Sequence, residues 1–226
     1  MVITWYGKNC FKLQSGELVI VTDPFVPLRG ISHGEKKESG LSPFRGRADV
    51  IIRTTTSATS DKRQATSEAF EINYPGEYEV KDISIKGWPL TSLKSETPAY
   101  AEATAGRQNP KQPRTAYLVE IDELKIVLLG YLANADEIKD FQEYLEDADI
   151  VFMPAGGKPF IETSVAAKLI RQLKPSLIVP TLFDNPKDLK PFLNELGKND
   201  TEPQEKLTVN KKELSKEKLI IGCLKT

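Results

Sequence analysis

Residues 150–180 read IVFMPAGGKPFIETSVAAKLIRQLKPSLIVP. Ile150–Pro154 is a short apolar run suited to a buried strand. Val165, Leu169, Ile170 and Leu173 then recur at helical spacing until Pro175 stops them, and Leu177–Pro180 is a second apolar run. Upstream, Ile138, Phe141 and Leu145 repeat at i, i+3, i+7 behind Asp136 and Glu137, anions that the first turn of a helix favours. Downstream, Asn185 and Pro186 predict a helix start, Leu189, Phe192, Leu193 and Leu196 its buried side, and Gly197 its stop. The apolar run Leu219–Cys223 is short enough for one more interior strand. The first 130 residues have a different rhythm. Val2–Tyr6, Leu18–Thr22, Val50–Thr54, Phe70–Asn73, Ile83–Lys86, Ala116–Ile121 and Lys125–Leu129 read as strands, parted by turn signals such as Ser15-Gly16 and Pro75-Gly76. No repeat of fixed period stands out. Strands first and helices later predict one layered α/β domain over residues 1–226.

The composition sets limits. With 226 residues, 39% of them hydrophobic, the chain can bury a substantial core. Its 31 Lys and Arg against 32 Asp and Glu give a net charge of −1, so no overall imbalance marks a nucleic-acid binder. No apolar run approaches the roughly 18–20 residues of a membrane span. MVITWYGKNC lacks the pattern of a secretory leader, and Cys10 and Cys223 form at most one bridge, so a reducing cytoplasmic setting is expected. Cys10, beside Phe11, reads as a buried, inert thiol. The single histidine, His33, lies on a Gly-rich polar loop and cannot build a multi-imidazole metal centre alone.

Three stretches read as loops: 27–47, 198–206 and the polar, mobile insertion 94–114. Charge is unevenly placed. Segments 27–47, 53–63 and 94–114 together hold 12 Lys and Arg against 5 Asp and Glu, leaving 19 against 27 elsewhere. Loops this basic on an otherwise acidic chain attract anions at low ionic strength.

Several motifs together carry a resemblance. Ile3-Thr4-Trp5-Tyr6-Gly7-Lys8-Asn9-Cys10-Phe11, Thr22-Asp23-Pro24-Phe25, Ala48-Asp49-Val50-Ile51-Ile52, Tyr74-Pro75-Gly76-Glu77-Tyr78-Glu79-Val80 and Met153-Pro154-Ala155-Gly156-Gly157 follow in order. This series resembles the metallo-β-lactamase-fold hydrolases, especially the small branch related to ascorbate-6-phosphate lactonase. The resemblance implies an αββα four-layer sandwich, two mixed sheets with helices on the outer faces. It also implies that Asp23 braces loops near the pocket.

The same resemblance exposes what is missing. Where the family has its T-H-x-H-x-D-H metal loop, this chain has Thr54-Thr55-Thr56-Ser57-Ala58-Thr59-Ser60. Thr55, Ser57 and Ser60 stand at the histidine positions and Thr59 at the aspartate. Lys8 replaces the histidine of the opening G-H, Tyr131 the metal-bridging carboxylate, and Leu182 the late histidine. Asn134 ends the altered segment Gly130-Tyr131-Leu132-Ala133-Asn134. Neutral hydroxyls are poor ligands and a lysine repels a dication, so no metal and no other cofactor is expected.

What these residues can do is bind. Hydroxyls of Thr54, Thr55, Thr56, Ser57, Thr59 and Ser60, which the resemblance sets opposite Lys8, Tyr131 and Asn134, are donors suited to phosphate or carboxylate oxygens. The reading is a pseudoenzyme that binds an anionic small molecule or regulates. One alternative is that the hydroxyl run merely caps a turn. Another is residual metal-free hydrolysis of a lactone or phosphoester by Ser57 or Ser60 with Lys8 as base. A third is a scaffold that forms homo-oligomers, by analogy with relatives. No interleaved aromatic and basic stripe supports nucleic acid as partner, and nothing supports a membrane.

Overall fold

A computed structural model of the protein describes residues 1–24, 44–55, 69–91, 113–198 and 201–226. Most of segments 27–47 and 94–114, together with Ser57, Thr59 and Ser60, lies outside the described residues. The first sheet begins with strict alternation. In β1 (Val2–Gly7) Ile3 and Trp5 are buried while Val2, Thr4 and Tyr6 are only half-buried. Antiparallel β2 (Cys10–Ser15) and β3 (Leu18–Thr22) follow, then parallel β4 (Val50–Ile52) and β5 (Phe70–Ile72).

The second sheet contains β6 (Gly76–Val80), β7 (Ile83–Pro89), β8 (Thr115–Ile121), β9 (Leu124–Leu128), β10 (Ile150–Pro154) and β11 (Leu177–Thr181). Two late strands complete the edges. β12 (Lys206–Thr208) pairs with β1, and β13 (Ile220–Ile221) with β11. The strand orders are β12-β1-β2-β3-β4-β5 and β13-β11-β10-β9-β8-β7-β6, each sheet mixed. The predicted αββα sandwich is thus the observed fold.

The sheets face one another through the core. The Phe11 ring of β2 meets that of Phe152 of β10 edge-on, with centroids 4.9 Å apart. Trp5 stacks on Phe183 at 4.7 Å. Every residue of β10 and β11 is buried, as expected of parallel strands covered on both faces. Their outer cover includes α2 (Thr163–Leu173), whose Ala166, Ala167, Leu169, Ile170 and Leu173 are buried, and α3 (Leu189–Glu195) packed beside it. Cys10, Val21, Ala48 and Ile51 form a small separate cluster behind the first sheet, so Cys10 is buried as expected.

The halves repeat one another although the sequence shows no fixed period. β1–β5 and β7–β11 share one topology: two antiparallel steps, then two parallel ones. Matching aspartates tie each half together. Asp49 accepts from Val19 N (2.9 Å) and Lys81 Nζ (2.6 Å), and Asp149 accepts from Lys125 N (2.9 Å) and Lys211 Nζ (2.6 Å). Lys81 holds the Asp49 carboxyl below its usual range.

Two helical readings change in detail. Ala135–Phe141, with helical apolar spacing, winds as a 3₁₀ helix before the four-residue α1 (Gln142–Leu145). Asn134 Oδ1 caps it by accepting from Asp136 N, and buried Glu137 turns back to accept from Ala133 N (2.9 Å). Further on, Pro186–Asp188 forms a 3₁₀ turn ahead of α3, and the Asp188 carboxylate accepts from Asn185 N (2.8 Å).

Candidate functional site at one end of the sandwich

Strand direction sends the turn after β1 and the segments leaving β3, β4, β9, β10 and β11 to the same end of the sandwich. In the turn after β1, Lys8 has a left-handed backbone (φ 52). Its carbonyl accepts from Trp5 Nε1 (3.1 Å) and from Leu182 N (3.2 Å), joining the first sheet to the end of β11. Leu182, buried, is itself left-handed (φ 55). This conformation is rare for a bulky side chain.

Asp23 lies at the centre of the polar contacts. Its Oδ1 accepts from Thr54 N (2.8 Å), and its Oδ2 accepts from Thr54 Oγ1 (2.5 Å) and from Asn9 Nδ2. Asn9 Nδ2 also reaches Thr54 Oγ1 (3.1 Å). Burial pushes the Asp23 carboxyl up to about 6, against the opposing pull of Thr54, Asn9 and the Arg53 charge. Thr54 O in turn accepts from Thr115 N (2.8 Å), so the segment after β4 crosses to the second sheet at the start of β8. Gly130 (φ 53) closes the other side, where a Cβ would lie 2.5 Å from that of Thr54.

Tyr131 follows, half-buried, its ring 5.9 Å from that of Phe160. Burial first, then the negative charges of Asp23 and Cys10, push its phenol well above the usual range. The Tyr131 carbonyl accepts from Arg114 Nη1 (2.7 Å). Arg114 also donates through Nη2 to Glu137 Oε1 (2.5 Å) and through Nη1 to Oε2 (3.2 Å). Thr55 bridges Arg114 in an antiparallel contact, and its buried Oγ1 has no partner among the described residues.

The structure therefore gathers Lys8, Thr55, Tyr131 and Leu182 at one end. Asn134 reaches the same loop, but its side chain is occupied as a helix cap. Ser57, Thr59 and Ser60 lie outside the described residues, and with them the serine hydrolase alternative. Sequence reasoning counted Thr54 among the pocket hydroxyls but gave no role to Asn9 or to the Arg114–Glu137 pair. Asn9 lay inside a quoted motif; Arg114 sat at the end of a stretch read as polar loop.

The donors suit a dication poorly. Leu182 offers no lone pair, Lys8 is cationic, and the phenol of Tyr131 is pushed away from the phenolate a metal needs. Asp23 has both oxygens engaged by Asn9 and Thr54. Among the described residues no group of three or more His, Cys, Asp and Glu side chains is placed to share an ion. Nor is any helix among them long and apolar enough to cross a membrane.

Comparison with known proteins agrees with the fold. A family model, the beta-lactamase superfamily domain, matches residues 2–182. A protein of the metallo-beta-lactamase superfamily from Thermotoga maritima superposes with a TM-score of 0.65 at 20% identity, covering 99% of both chains. An isothiocyanate hydrolase from Delia radicum gut bacteria gives 0.62 at 14% identity, over 98% of this chain and 96% of its own. The metallo hydrolase Igni18 from Ignicoccus hospitalis gives 0.57 at 14%, over 92% and 98%. At these identities the likeness is one of fold. No curated protein matches the chain in sequence.

Proposed function

We propose that this chain, which belongs to the metallo-β-lactamase superfamily, has given up that superfamily's metal site and works as a non-catalytic protein that holds a small anion. The motifs Trp5–Phe11 and Tyr74–Val80 support a place near the small branch related to ascorbate-6-phosphate lactonase. One observation carries the functional reading: Lys8, Thr55, Tyr131 and Leu182, which by resemblance stand where the family holds its ligands, lie at one end of an intact sandwich. Lys8 supplies a cation and Thr55 a hydroxyl. Tyr131, kept protonated by its surroundings, supplies an O–H donor rather than a phenolate. Together these groups match an oxyanion better than a metal ion.

Asp23 sets the pH dependence. Its negative charge opposes an incoming anion, while Arg53 and Lys8 favour one, and Tyr117 and Tyr131 stay neutral with raised pKa values. Protonating Asp23 as pH falls through about 6 removes the repulsion, so affinity rises toward lower pH. Sulfate is a suitable probe because its charge is constant over this range. In calorimetric titration the protein binds sulfate more tightly at about pH 5.5 than at about pH 7.5. Lys8→Ala weakens that binding by about 10-fold or more, as loss of a charge-assisted hydrogen bond does. No sulfate binding at either pH, or binding indifferent to Lys8→Ala, refutes the reading.

A further inference from the structure

The end of β11 combines two features that work against stability. Thr181 is fully buried, and its Oγ1 has no hydrogen-bond partner among the described residues. The next residue is Leu182 with its left-handed backbone. Thr55 Oγ1 shares this lack, but two other buried threonines at this end are satisfied. Thr22 Oγ1 donates to Asn9 O (2.7 Å) and accepts from Phe11 N (3.0 Å), and Thr54 Oγ1 donates to Asp23. Native structures rarely leave a buried hydroxyl unpaired without a reason.

The direction of the Thr181 side chain follows from register. Phe152 of β10 touches Phe11 of the opposite sheet, so it looks into the space between the sheets. Val179 of β11 pairs with Phe152, and Thr181 lies two residues further along the same face. Leu177, two residues before Val179, agrees: a Cβ added at Gly222 would lie 3.4 Å from its Cδ1 and 2.6 Å from Leu207 Cδ2 of β12 in the opposite sheet. Thr181 thus points inward at the strand end that carries Leu182, whose amide is tied to Lys8 O.

That strand end is also held in place. Thr181 O accepts from Ala155 N (2.9 Å), and Leu182 O presses against Gly156, where a side chain would collide with it. An unpaired donor next to backbone strain, both fixed by their surroundings, is a pattern found at functional sites.

We infer that Thr181 is a ligand-contacting residue whose Oγ1 donates to one oxygen of a small oxyanion sealed between the sheets beside Lys8 and Leu182. The inference rests on the anion-binding reading above and adds to it a residue and a size limit. Because Thr181 has no exposed surface, an anion reaches it only by displacing the packing around the strand end, which limits it to an inorganic oxyanion or a terminal phosphate or carboxylate rather than a polymer.

Thr181→Val keeps the shape and removes the hydroxyl; Thr181→Ser keeps the hydroxyl. Without sulfate, Thr181→Val should raise the melting temperature, by about 2–4 °C, because an unsatisfied buried donor has been removed. The same variant should bind sulfate about 10-fold more weakly or worse, while Thr181→Ser stays within about 3-fold of the parent protein. Two results overturn the inference while leaving anion binding intact: parental sulfate affinity in Thr181→Val, or a lowered melting temperature in its sulfate-free form, the mark of an internal water as partner. If the parent protein binds no sulfate, the functional reading fails and the role of Thr181 falls with it.

Discussion

Replacing Arg114 with methionine should cost about 3–5 kcal/mol of unfolding free energy, the loss that follows when one partner of a buried ion pair is removed. Glu137 is the reason. Its side chain is 0% exposed, and its carboxylate receives two bonds from Arg114 and one from Ala133 N. Methionine fills much of the arginine's volume but leaves the carboxylate stranded. Arg114 also donates to Tyr131 O and Leu90 O, so two carbonyls lose a partner as well. Adding Glu137→Gln removes the stranded charge while still accepting from Ala133 N. Urea unfolding followed by circular dichroism should therefore rank the parent protein above the double variant and the double variant above Arg114→Met. An Arg114→Met protein within about 1 kcal/mol of the parent contradicts this account of the pair.

Gly156→Ala should be a severely damaging methyl addition, lowering stability by about 3 kcal/mol or more. Its Cβ would run into Leu182 O, with Phe183 Cα 3.3 Å away, and backbone atoms cannot rotate aside. The neighbouring glycine gives an internal control. Gly157 is left-handed (φ 72) with nothing within 4 Å of an added Cβ, so Gly157→Ala carries only the conformational cost of about 1–2 kcal/mol. Thermal unfolding should separate the two by several degrees, and equal melting temperatures would show that Leu182 does not hold its observed place.

The strands inside the sandwich were the most legible part of the sequence. β10 and β11 stand out as apolar runs because helices cover their outer sides and no polar alternation is needed. β12 was hidden for the opposite reason: an edge strand of three residues, Lys206-Leu207-Thr208, is too short to show a period or an apolar run. The repeat of β1–β5 in β7–β11 is one of hydrogen-bond pattern, kept by Asp49 and Asp149 while the intervening side chains differ. At the candidate site, Lys8, Thr55, Tyr131 and Leu182 were singled out because they interrupt motifs of the resembled family. Arg114 and Glu137 carry no such signal, since their pairing depends on the chain returning from far along the sequence. Thr181 was invisible for another reason: a threonine at a strand end looks satisfied until its surroundings are known.

The central claim is that the residues at the family's ligand positions no longer hold a metal. Metal content measures this directly, on tag-free protein equilibrated with zinc, manganese and iron and then passed through a desalting column. The account predicts far less than one ion of any of them per chain, and no change in melting temperature on adding a chelator. One tightly held ion per chain, whose removal lowers the melting temperature and whose retention depends on Lys8, Thr55 or Tyr131, would contradict it.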